Sequence, residues 1–141
     1  MDFYGTLFMK KINKENSNLL GANMSFKKCL EDSLTTITED MLEGILNIRA
    51  YAFYGCDHLE SVTIPSSISN INDSAFDGCE SLESLTMISE IPPIIGTNVF
   101  RNTSNELKIY VPDGSVDAYK EASGWSEYEG LIHGISNESE D

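Results

Sequence analysis

Apolar and polar residues alternate over Leu59–Ile64 and again over Leu82–Met87. Such a period of two places Val62, Ile64, Leu85 and Met87 on one face of a half-buried strand, and turns Glu60, Ser61, Thr63, Glu83, Ser84 and Thr86 towards water. Ahead of each strand stands an Ala-Phe pair, Ala52-Phe53 and Ala75-Phe76, which the pattern predicts to pack a short helical turn over the core. Gly55 and Gly78 close those turns where a positive φ is cheap. Pro65 cannot donate to a ladder and marks the end of the first strand.

These features recur because the chain repeats itself. Residues 48–64 map onto residues 71–87 at a constant offset of 23, carrying Ile48 onto Ile71, Phe53 onto Phe76, Cys56 onto Cys79 and Leu59 onto Leu82. Self-similarity at such a period marks a solenoid, whose units bury their apolar edges only by stacking on neighbours. The shared pattern, I-x-x-x-A-F-x-G-C-x-x-L-x-S-[VL]-T-[IM], resembles the BspA-like class of leucine-rich repeats. The segment 109–126 is similar to the stretch that often closes such arrays. The resemblance implies an α/β fold, a short leucine-rich-repeat solenoid of stacked strand and helical-turn units. It also implies a non-catalytic role in adhesion or recognition of a protein or glycan, in a family with members among phage structural genes.

The rest of the chain is expected to frame these units. Residues 1–32 show no repeat and read as an N-terminal arm and cap, with Phe26, Cys29 and Leu30 on one face behind Ser25. Residues 33–136 form the repeat domain: a degenerate repeat at 33–47 in which Ile37 aligns with Ile48, regular repeats at 48–70 and 71–93, and an irregular repeat with a C-terminal helical cap at 94–136. Ile109 and Val111 fall 24 residues beyond Leu85 and Met87, so a third strand should continue the ladder after a loop containing Ile91–Ile95 and Asn98–Arg101. Ser115 is the expected N-cap of a helix from Val116 to Ala122 that stops at Gly124. Ser126 and Glu129 suggest a capping box. Trp125, Tyr119 and Tyr128 read as a lid over the core. Residues 137–141 form an acidic tail that is expected to be disordered.

Charge narrows the partners. With 9 Lys plus Arg against 23 Asp plus Glu, the formal charge is −14 over 141 residues, so the chain repels a phosphate backbone and nucleic acid is a poor partner. No run reaches the roughly 20 apolar residues of a membrane span. At the N-terminus the apolar run precedes Lys10 and Lys11 and is too short for a signal peptide, leaving localisation open between cytosol, virion and a surface reached by another route. The three cysteines are Cys29, Cys56 and Cys79. Cys56 and Cys79 share a repeat position and are expected to stack as small buried hydrophobes.

Catalytic patterns are missing. His58 and His133 have no histidine partner at helical spacing, and phosphate-binding, dinucleotide and nucleophile-elbow motifs do not occur. No calcium-loop spacing is present, so neither metal nor cofactor is expected, and the chain reads as a non-enzyme. What remains is a surface. Stacked strands would align Ser61, Ser84 and Lys108 in one outward row and Thr63, Thr86 and Tyr110 in another, and these six are the candidate binding residues. The alternative is a structural component of a larger assembly such as a virion or tail surface, docked through residues 1–32.

Overall fold

The computed structural model describes residues 35–136. Each of the first three described coils contributes one strand to each of two parallel sheets, so the ladders run between coils and the two sheets enclose a single core. In chain order the strands are β1 (Thr36–Ile37), β2 (Asn47–Ile48), β3 (Ser61–Ile64), β4 (Asn70–Ile71), β5 (Ser84–Met87), β6 (Ile94–Ile95), β7 (Lys108–Val111) and β8 (Ile132–Gly134). The larger sheet has the order β1-β3-β5-β7-β8 and the smaller the order β2-β4-β6.

Register follows the repeat. Val62 pairs with Leu85 and Ile64 with Met87, and Leu85 in turn pairs with Ile109, matching the offsets read from the sequence. Val62, Ile64, Leu85, Met87, Ile109 and Val111 are all buried. Parallel pairing becomes available because each strand returns one coil later in the same direction. Ile37 takes the place opposite Val62, in the larger sheet. The expected alignment of Ile37 with Ile48 is therefore corrected: Ile48 pairs with Ile71 in the smaller sheet, and residues 36–37 form this coil's strand in the larger one.

The smaller sheet gave no signal because its strands are two residues long and too short for any period. Its inward residues are Ile48, Ile71 and Ile95. On the outward side the Asn70 Nδ2 donates to Asn47 Oδ1 at 2.7 Å. Residues 94–101, expected as a loop, repeat the pattern faithfully: Ile95 lies opposite Ile71, and the Phe76 N–H donates to the Val99 carbonyl at 3.0 Å. Val99 replaces the small alanine of the earlier coils, which hid the match.

Between the sheets each coil turns through an i→i−3 bonded segment. The Phe53 and Gly55 N–H groups donate to the Ala75 and Asp77 carbonyls at 2.8 and 2.9 Å, and Phe76 and Gly78 do the same to Val99 and Arg101. Gly55 and Gly78 have φ of 74° and 84°, as expected. The rings of Phe53, Phe76 and Phe100 stack in one column, with centroids 5.3 and 6.0 Å apart. Trp125 and Tyr128 meet the far end of that column, at 6.4 and 5.2 Å from Phe100.

After β7 the chain forms a 3-10 turn (Asp113–Ser115), helix α1 (Val116–Glu121) and a second 3-10 segment (Ser126–Leu131). Three side chains of this region satisfy carbonyls of the segment 89–93, where Pro92 and Pro93 bring no N–H of their own. Tyr119 Oη donates to Ser89 O at 2.7 Å, Ser115 Oγ to Glu90 O at 2.8 Å, and Trp125 Nε1 to Pro93 O at 2.8 Å. Ser115 precedes the helix as expected, but its hydroxyl is spent on Glu90, so it makes no cap hydrogen bond. The expected Ser126 capping box does not form either, because Trp125 takes the N-cap position. The arm at 1–32 and the tail at 137–141 lie outside the described residues.

Cys56 is disulfide-bonded, whereas Cys79 is a free buried thiol. The expectation of two stacked thiols is corrected for Cys56. Cys79 keeps that role and donates its Sγ–H to the Phe53 carbonyl at 3.1 Å. Burial pushes its pKa up to about 12, so the thiol stays neutral.

Candidate functional site

The outward residues of the larger sheet are set by strand alternation. Ser61 pairs with Ser84 and Ser84 with Lys108, and beside them Thr63 pairs with Thr86 and Thr86 with Tyr110. The register thus brings all six sequence-selected residues together in the two expected rows. Ser61, Thr63, Ser84, Thr86 and Lys108 are half-buried. Tyr110 was expected to face solvent, yet it is only 4% exposed.

The structure adds a residue to the second row. Tyr110 pairs with His133 of β8, and the two rings lie 6.2 Å apart. At the opposite edge Thr36 pairs with Ser61, whose Oγ lies 3.5 Å from Thr36 Oγ1. The five strands therefore present hydroxyls towards β1 and the Lys108, Tyr110 and His133 side chains towards β8. No outward position within these strands carries a carboxylate, although the chain has 23 acidic residues. Glu60 and Glu83 stand just before β3 and β5, and so border the face at its first coils only.

Among the described residues no group of three or more His, Cys, Asp or Glu could hold a metal ion. His58 sits exposed in the turn before β3. A family model for the BspA type leucine rich repeat region matches residues 2–122 in six copies. The chain belongs to the BspA-type leucine-rich repeat family. BspA-type repeats are generally non-catalytic and act as interaction or adhesion modules, so the family and the strand-and-turn coils fit an α/β repeat fold in parallel sheets. No curated protein matches the chain. Among the described residues no helix is long and apolar enough to cross a membrane.

The BspA-type pattern explains which residues escaped the sequence reading. β8 follows three short helical segments, and its Ile132-His133-Gly134 lacks the Leu-x-Ser-x-Thr strand text of the regular units. Adding one more 23-residue step to Tyr110 would have found His133.

Proposed function

We propose that this protein is a non-catalytic recognition module that binds a protein or glycan through the outer face of its five-stranded sheet. One observation carries the reading: the rows Ser61–Ser84–Lys108 and Thr63–Thr86–Tyr110–His133 align polar side chains without a carboxylate in a strongly acidic chain, all half-buried except the covered Tyr110. Hydroxyls and a neutral imidazole both donate and accept and the ammonium donates, which fits polar, neutral or acidic ligand groups. A solenoid holds such rows on a rigid backbone, so little ordering is lost on binding.

Photo-crosslinking tests this directly. A photoreactive phenylalanine analogue at position 84 should capture the ligand found by screening surface proteins and glycans, whereas the same analogue at position 80, in the turn, should not. Capture from position 80 alone would move the binding surface elsewhere.

A further inference from the structure

A tyrosine stands where the fold has no use for one. Tyr51, Ser74 and Asn98 take equivalent places on three successive coils, and all three have left-handed backbone, with φ of 63°, 58° and 57°. Asparagine enters that region readily, and a small serine offers little bulk to clash, but a large aromatic side chain is an outlier there. Tyr51 is also 53% exposed, so its ring adds little to the core. Neither backbone preference nor burial explains it, and an outlier of this kind points to function.

The next row supports the same conclusion. Tyr54, Asp77 and Arg101 are equivalent positions on those three coils, kept in register by the bonds from Gly55 to Asp77 and from Gly78 to Arg101. The Asp77 side chain is 2% exposed and accepts from Arg101 Nε at 3.0 Å and Nη2 at 2.8 Å, while the Arg101 side chain is 53% exposed. Asn102 Nδ2 reaches the other carboxylate oxygen at 3.4 Å. A buried carboxylate is costly unless paired, and here the pairing fixes a guanidinium at the surface, with Nη1 outside the pair. Tyr54 and Arg101 thus share one row on the outside of the coils, with Asp77 between them. Tyr51 and Tyr54 stand with ring centroids 5.5 Å apart at 68°.

We propose that Tyr51, Tyr54 and Arg101 form a second contact surface, separate from the sheet face, that engages a protein segment presenting an apolar side chain next to a carboxylate. Two rings at 68° make a corner rather than a flat platform, and its two apolar walls can enclose one aliphatic side chain. The fixed guanidinium matches a planar carboxylate. Tyrosine and arginine are also the residues that concentrate binding energy at protein interfaces. The surface stands independently of the sheet-face reading.

A short random-peptide display library, panned on the whole chain, tests it. Enriched peptides should carry Asp or Glu beside Leu, Ile, Val or Met. Tyr51→Asn and Arg101→Lys should each weaken them by at least about tenfold, and Thr86→Arg should leave them bound. Tyr51→Asn should melt no lower than wild type, because asparagine suits the backbone at that position. Lack of enrichment, equal binding by Tyr51→Asn, or unfolding of that variant would overturn the proposal. So would a glycan-array signal that Tyr51→Asn abolishes, since it would assign the corner to a sugar.

Discussion

Phe53 and Phe76 stack with ring centroids 5.3 Å apart and planes 13° from parallel, one coil above the other. Both are fully buried, and Phe100 continues the column on the third coil. Phe76 touches an aromatic ring on each side, so its removal opens a cavity between coils that rigid strands cannot close. Phe76→Ala should cost on the order of 3–5 kcal/mol in chemical denaturation, and Phe53→Ala a comparable amount. A neutral effect at either position would refute the stacking register.

Trp125 ties the C-terminal segment to the second proline of the 89–93 segment. Trp125→Phe keeps most of the buried ring but orphans the Pro93 carbonyl, and should lower stability by about 1–3 kcal/mol. Amide hydrogen exchange should rise in β6 and α1 before it rises in β3 or β5. Uniform acceleration across all strands would show that the contact is not local.

Gly96 leaves room for the neighbouring coil. A Cβ at this position would run into the Asp73 backbone nitrogen at 2.7 Å and into its side chain, which accepts from the Thr97 N–H at 2.9 Å. Gly96→Ala should therefore destabilise the protein by more than the few tenths of a kcal/mol typical of surface changes, read as a lower melting temperature. Gly114→Ala, with open space around it, is the matched control.

Cys79 provides a pH signature. Its thiol pKa is raised, mainly by burial, from the ordinary 9.0 to about 12 in the folded chain. The unfolded state thus loses its proton first. The thiol's contribution to stability is fully present below pH 9 and lost as pH climbs towards 12. Thiol labelling at neutral pH should be slow until denaturant is added, and Cys79→Ala should flatten the alkaline loss of stability. Rapid labelling of the native protein at Cys79 would contradict its burial.

The two regular coils were legible because burial on one strand face writes a period of two, and stacking writes the 23-residue offset on top of it. β7 was found by the same arithmetic, extended to 24. The smaller sheet was not legible, since Asn47–Ile48, Asn70–Ile71 and Ile94–Ile95 are each two residues long and resemble loop text. The coil at 94–101 was hidden by Val99, which fills the alanine position without breaking the packing. Of the candidate face, the six chosen residues fell into their rows because strand pairing leaves no other arrangement. Tyr110 was misjudged because alternation tells which way a side chain points and not what covers it. His133 was missed because helical segments separate β8 from β7. The Tyr51 corner lay beyond reach, because a left-handed backbone at a tyrosine leaves no trace in the sequence.

The most direct measurement is binding of the captured protein or glycan to immobilised wild type and to Thr86→Arg, with matched far-ultraviolet circular dichroism. Thr86 lies mid-row between Thr63 and Tyr110, so an arginine there should cut affinity by at least about tenfold while the fold is kept. Undiminished binding by a folded Thr86→Arg protein would contradict the assignment of the sheet face as the recognition surface.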